Sequence, residues 1–194
     1  APKYYAVICT EKNYIKKLDL EDVMIATPGG IIMTKLNAGD QIKQVVIAPN
    51  TYDVIIYSKK KALRCKMTSI PNYKRNTLGV YAMNTKDDLD GIAIIDPTAT
   101  DILVLTESGK VNKFAVTGLS VSDRYKAGNT VIKLGKTDTI HSIFGVNDSM
   151  TLHVLCKGSK QDIAVKDIQR TSSISAGSKG VSLKGDMIIK VTVD

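Results

Sequence analysis

An all-β array of four repeated blades, each a small antiparallel sheet of four strands, is the fold class that this sequence predicts. Three observations carry it. One phrase, Asp-x-(Ile/Leu)-x-x-(Val/Ile), returns near the end of each quarter of the 194 residues, as Asp40-Gln-Ile42-Lys-Gln-Val45, Asp87-Asp-Leu89-Asp-Gly-Ile92, Asp138-Thr-Ile140-His-Ser-Ile143 and Asp186-Met-Ile188-Ile-Lys-Val191. Its Asp residues stand 47, 51 and 48 positions apart, and a fixed period of that size marks one supersecondary unit copied along the chain. The apolar runs are short, β-branched and broken by turn residues, whereas helical periodicity is nearly absent. The units fall at about 1–49, 50–97, 98–147 and 148–194, a single repeat domain of propeller-like blades.

The first copy defines the grammar of a unit. Tyr5 to Thr10 is an apolar, β-branched strand, Glu11-Lys-Asn13 a tight turn, and Tyr14 to Leu18 a strand returning antiparallel. The third copy repeats it 96 residues on, with Ile102 to Thr106, the turn Glu107-Ser-Gly109, and Lys110 to Phe114. The second fits at an offset of 48, placing Leu63 on Ile15 and Arg64 on Lys16; the fourth runs from Leu152 to Cys156 and from Lys160 to Val165. A polar stretch and a glycine then lead into a third strand, at Gly30-Ile31, Gly79-Val80, Gly128-Asn-Thr-Val131 and Gly180-Val181. Glycine here supplies a positive φ or a close backbone approach. The Asp phrase forms the fourth strand, its Asp capping the turn before it. Only Leu18 to Val23 and Val165 to Ile168 suit a helical turn.

Composition narrows the function classes. With 43% hydrophobic and 24% charged residues the chain is an ordinary globular protein. Its longest apolar run, Tyr4 to Cys9, holds six residues, far from the roughly 20 of a membrane-spanning helix, so no membrane partner is expected. The start, Ala1-Pro-Lys-Tyr-Tyr, has no apolar signal-peptide core and opens directly in a repeat, as expected of a fragment of a longer chain. Cys9, Cys65 and Cys156 lack CxxC spacing and read as buried, reduced cysteines of an intracellular protein. The net charge of +8 is spread as +1, +3, +2 and +2 over the four units. Positive charge that recurs with the repeat forms a stripe, which suits a linear polyanion.

Taken together, Leu103-Val-Leu-Thr106-Glu-Ser-Gly109-Lys-Val-Asn-Lys113-Phe, a basic loop, Gly-Val and then Asp-x-Ile resemble the carboxy-terminal repeats of bacterial type IIA topoisomerase A subunits, the gyrase A and topoisomerase IV ParC family. Ile8-Cys-Thr10-Glu-Lys-Asn-Tyr-Ile15-Lys16-Lys17 and Tyr73-Lys74-Arg75-Asn-Thr-Leu-Gly79-Val80 are similar to the same blade. The resemblance covers nearly the whole chain. It implies a β-pinwheel, open or closed, whose blades exchange a strand with their neighbours. It further implies a DNA-binding and DNA-bending domain without catalysis or cofactor of its own. Duplex DNA would bend around a basic outer rim and be presented to the separate amino-terminal cleavage core, in an ATP-dependent enzyme that includes an ATPase subunit, in the cytoplasm at the nucleoid. The gyrase box, Gln-Arg-Arg-Gly-Gly-Lys-Gly, has no intact copy. Ala26-Thr-Pro-Gly29-Gly30-Ile31 keeps the glycines without the arginines, and Ala176-Gly177-Ser178-Lys179-Gly180-Val181 is a closer remnant. That departure puts full gyrase wrapping in doubt and points toward a topoisomerase IV or divergent relative.

The candidate DNA contacts lie at two places in a unit. One is the second strand, with Lys16, Lys17, Arg64, Lys66 and Lys113; the other is the loop before the glycine, with Lys74, Arg75, Arg124, Lys126 and Lys179. Such cations neutralise phosphates and release counterions, giving sequence-tolerant, salt-sensitive binding. Lys59-Lys60-Lys61 is the densest basic run, at a hairpin turn. Tyr73 and Tyr125 beside basic residues are too few for a single-strand stacking platform. Arg124-Tyr125 imitates the Arg-Tyr pair of type IIA cleavage but lies in a repeat loop, so no nucleophile is assigned to it. His141 and His153 are the only histidines, and no phosphate loop, GxSxG or metal-spaced cluster accompanies them. The rival class is a protein-interaction propeller in which the charge serves solubility.

Overall fold

The computed structural model describes residues 1–25 and 27–194. It is all-β apart from single helical turns. The first repeat contributes β1 (Tyr4–Thr10), β2 (Tyr14–Asp19) and β3 (Ile42–Pro49), with a one-turn helix at Leu20–Val23. The second contributes β4 (Asp53–Ser58), β5 (Ala62–Lys66), β6 (Val80–Tyr81) and β7 (Leu89–Ile95). In the third stand β8 (Asp101–Thr106), β9 (Lys110–Ala115), β10 (Val121–Ser122) and β11 (Ile140–Val146). The fourth holds β12 (Thr151–Cys156), β13 (Lys160–Ala164), β14 (Arg170–Thr171), β15 (Ser178–Lys179) and β16 (Ile188–Val193).

The predicted hairpins are present. β1 pairs β2 from Tyr5↔Asp19 to Cys9↔Ile15, with Asn13 at φ +77° in the turn, where asparagine tolerates the left-handed region. The Asp phrase opens β3, β7, β11 and β16 at its Ile or Leu. The Asp side chain reaches further than the turn before it. Asp40 Oδ1 accepts from Lys12 N (2.9 Å) as well as Gln41 N (2.8 Å). Asp138 does the same with Ser108 N and Thr139 N, and Asp186 with Gly158 N and Met187 N. Each of these three carboxylates therefore ties the hairpin turn of its repeat to the entry of its last strand.

The third strand differs from its expectation. Where it forms, it is two residues long and completes the sheet of the preceding repeat. After each of the last three hairpins the chain first runs parallel to the second strand of the preceding repeat: Asn72 bridges Lys17, β10 pairs β5, and β14 pairs β9. It then returns antiparallel, with β6 on β2, Asn129 on Ala62, and β15 on β9. The sheet orders are therefore β3-β1-β2-β6, β10-β5-β4-β7, β11-β8-β9-β14 with β15 beside β9, and β13-β12-β16. Two residues are too short for any period to register, so this exchange follows from the resemblance and not from patterning. The 3-10 turns at Met67–Ser69, Val116–Gly118 and Val165–Asp167 recur just past the second strands; the first two carry no helical signal in the sequence.

Two compact units result, Ala1–Ser58 with Leu63–Ile94 and Val121–Gly128, and Lys59–Ala62 with Ile95–Ser120 and Asn129–Asp194. The core of the first gathers Val7, Cys9, Ile15, Val54, Ile56, Leu63, Cys65, Met67 and Met83. That of the second gathers Leu103, Leu105, Val111, Leu152, Val154, Val165 and Val181. The three cysteines are buried and free, and burial pushes the Cys9 and Cys65 thiols up to about 12. Among the described residues no helix is long and apolar enough to cross a membrane.

Candidate nucleic-acid interface

The exchanged segments decide which basic residues reach solvent. In β2 they cover what would be the outer side, and the burial pattern from Ile15 to Leu18 is continuous. A lysine on such a strand must find oxygens inside the protein. Lys16, 1% exposed, donates from Nζ to the carbonyls of Lys74 (3.0 Å), Arg75 (2.7 Å) and Thr77 (2.8 Å). Burial draws its ammonium down to about 8. Lys17 donates to Asn50 Oδ1 (2.7 Å) and the carbonyl of Met67 (3.0 Å), with its ammonium 4.8 Å from the centre of the Tyr5 ring. Lys113 is likewise buried, against the carbonyl of Val165 (2.8 Å) and Asp148 Oδ1 (3.5 Å). The sequence places Lys16, Lys17 and Lys113 on the surface; the structure turns them inward, and their charge is taken up by carbonyls of the next repeat.

Arg64 is half-buried and holds Asp53 Oδ2 through Nε (3.1 Å) and Nη2 (2.9 Å). Lys66 is the exposed member of the second-strand group. The loop group is placed differently. Lys74, Lys126 and Lys179 are exposed, Arg75 is half-exposed, and Arg124 is half-buried with Nη1 donating to the carbonyl of Tyr81. Lys59, Lys60 and Lys61 are also exposed.

Lys16 links the two groups. By drawing the carbonyls of Lys74, Arg75 and Thr77 toward the interior, it fixes the loop whose lysine and arginine reach the surface. Asn112, one repeat pair later, makes the corresponding contact, donating to the carbonyls of Val131 and Ser172. Lys74 and Arg75 also line an open concavity of about 620 Å³ with Asp22, Thr27 and Gly30, so the glycine loop of the first repeat lies beside the basic loop of the second. Ala26 of that loop lies outside the described residues. Gly79 closes the basic loop by lying flat on β2: a Cβ there would stand 2.3 Å from the carbonyl oxygen of Ile15.

The histidines have local partners. His141 Nδ1 lies 3.2 Å from Ser142 Oγ. His153 on β12 bridges Asp162 (2.7 Å) and Asp194 (2.6 Å), whose carboxylates raise its pKa above the ordinary 6.5. Tyr125, exposed at φ +66°, lies in the loop after β10. Its neighbours Tyr14 and Tyr81 form a ring stack with it that residue order alone does not reveal, because the three belong to three different repeats.

Comparison with known proteins adds to this geometry. The sequence matches the profile of the family described as DNA gyrase C-terminal domain, beta-propeller, over residues 4–49, 61–99 and 100–147. It is 28% identical over 197 residues to the DNA gyrase A protein of Haloquadratum walsbyi, an alignment covering 92% of this chain and 22% of that protein. The chain thus spans under a quarter of that relative's length. In three dimensions it is similar to the C-terminal domain of DNA topoisomerase IV (TM-score 0.88, 21% identity, 98% of this chain and 61% of that one). It is also similar to the DNA gyrase A C-terminal domain (TM-score 0.86, 19% identity, 98% and 66%). Both likenesses show a shared fold.

Proposed function

Because the chain belongs to the DNA gyrase C-terminal domain family, we propose that it binds and bends duplex DNA for a type IIA topoisomerase, presenting the duplex to a separate cleavage core. In this reading the domain performs no chemistry and needs no cofactor. Strand cleavage and ATP hydrolysis reside elsewhere in the enzyme, which works on the nucleoid in the cytoplasm.

The observation that supports the reading best is the recurrence of solvent-reaching cations on the loops before the glycines: Lys74 and Arg75 in the second repeat, Lys126 in the third, Lys179 in the fourth. Smoothly bending 20–30 base pairs through tens of degrees costs on the order of 1–6 kcal/mol, so the protein must supply several phosphate contacts. Loops held from below by Lys16 and Asn112 do not need to be ordered when DNA arrives, which reduces the entropic cost of each contact.

Binding of duplexes of increasing length, followed by anisotropy between about 50 and about 200 mM salt, tests the reading. Affinity should fall steeply with salt, and the Lys74→Ala/Arg75→Ala double variant should flatten the log–log slope by about 2, near 0.9 per phosphate contact. Salt-independent binding, or a slope unchanged in the double variant, would show that these loops serve a protein partner instead.

A further inference from the structure

Tyr14, Tyr81 and Tyr125 stand in one column within the first compact unit. Tyr14 and Tyr81 are cross-strand partners on β2 and β6, with ring centroids 5.0 Å apart and planes 25° apart. Tyr81 and Tyr125 are 6.5 Å and 28° apart. The first spacing is a closed stack. The second lies within the roughly 4.5–7 Å range of offset aromatic pairs, so the rings form one continuous aromatic surface. An open concavity of about 470 Å³ lies at these rings, lined by Tyr14, Gly79, Val80, Tyr81, Arg124 and Tyr125.

Three further observations mark this as more than surface packing. Tyr81 and Tyr125 are 52% and 46% exposed, a large apolar area left uncovered. Tyr125 is held at φ +66°, a region that bulky residues avoid and that is retained where surrounding structure enforces it, often at functional sites. The enforcement is visible: Tyr125 N donates to the carbonyl of Ala82 (3.0 Å), and Arg124 Nη1 to that of Tyr81. Arg124, half-buried in the same wall, adds a fixed positive charge beside the rings.

We propose that Tyr81 and Tyr125 receive an unpaired nucleobase on their exposed ring surface, with Arg124 and Lys126 beside the adjoining phosphates. Exposed ring faces select a planar π-system. The cations and the net charge of +8 favour a polyanion over a proline-rich peptide, the other ligand of exposed aromatic grooves. Duplex DNA forced to bend opens at its flexible steps, and a base extruded there would be captured next to the basic loops. The proposal builds on the DNA reading above but fails separately from it.

The test uses the 194-residue chain and a single strand of about 12 nucleotides with a central 2-aminopurine, alongside its duplex. Single-strand binding should quench the 2-aminopurine. Tyr125→Gly, which removes the ring and relieves the backbone, should weaken single-strand binding by between about fivefold and a hundredfold. Tyr81→Ala should act similarly and Tyr125→Phe should not, while duplex affinity stays within about twofold throughout. Unchanged single-strand affinity and quenching in Tyr125→Gly would overturn the proposal. So would equal losses for single strand and duplex, or saturation of the rings by a proline-rich peptide with no response to the single strand. Failure of the duplex to bind, with quenching and its loss as expected, would instead remove the reading of the basic loops and uphold the base site.

Discussion

Replacing Gly79 by alanine puts one methyl group where the fold has no room. The added carbon would stand 2.3 Å from the Ile15 carbonyl oxygen and 2.7 Å from the Ile15 carbonyl carbon. Both are backbone atoms of a strand paired on its other side with β1, so no side chain can swing away. Restoring ordinary contact requires β6 to retreat by about 1 Å, which breaks the Ile15↔Val80 and Tyr14↔Tyr81 pairings. Overpacking of this kind costs about 1–3 kcal/mol, and each hydrogen bond lost adds about 1 kcal/mol net. The sum is about 3 kcal/mol. For a chain of this size a loss of 1 kcal/mol lowers Tm by about 2–4 °C, so Gly79→Ala should melt about 6–12 °C below the wild type in a far-ultraviolet circular dichroism scan. Gly29→Ala is the matched control: its Cβ meets nothing within 4 Å, and its melting should move by less than about 1 °C. A Gly79→Ala protein that melts with the wild type would refute the argument that β6 docks by close backbone approach.

Other expectations concern the buried and paired charges. Lys16 has a folded-state pKa of about 8 against an ordinary 10.5, so between these values the unfolded chain binds more protons and the stability carried by the group rises with pH. In urea unfolding the wild type should therefore gain on Lys16→Met from about pH 7.5 to about pH 9.5, and a pH-independent gap between them would contradict the burial. For DNA, Lys17→Met should leave the salt slope of binding unchanged below its melting range, whereas Lys66→Ala should flatten it by about 0.9 if that exposed lysine meets a phosphate. His153 should titrate above 6.5 by NMR, and Asp162→Asn should bring it down, because that carboxylate is the largest cause of its rise. Stability from this pair is fully present below 6.5 and is lost as pH rises through the folded value.

The hairpins are legible in the sequence because a β-branched run, a two- or three-residue turn and a second run suffice to specify one, and Tyr5 to Leu18 has all three. The Asp phrase is legible as a strand start for the same reason, although the reach of Asp40 back to Lys12 spans 28 residues and leaves no local trace. The second-strand lysines depart from expectation for a physical cause. A basic residue on a strand faces water only if one side of the sheet is free, and in β2 and β9 the following repeat covers that side. The sequence does hold a hint: Lys16 and Lys17 are adjacent between Ile15 and Leu18, a pattern without the alternation of a half-exposed strand. The loop cations Lys74, Lys126 and Lys179 are legible because a polar stretch before a glycine has little choice but the surface. The tyrosine column is not, since proximity of Tyr14, Tyr81 and Tyr125 depends on the strand exchange itself.

The clasp around Lys16 also sets a schedule. Its carbonyl partners are encoded 58 to 61 residues downstream, so on a ribosome adding about 5–20 residues per second the lysine waits about 3–12 s for Thr77 after its own synthesis. During that interval the first hairpin holds an ammonium on a strand whose cover has not yet been made. Completion of the first repeat thus waits on translation of the second, and slow codons placed between Lys16 and Thr77 would lengthen the exposure of an unfinished edge without altering one residue of the product.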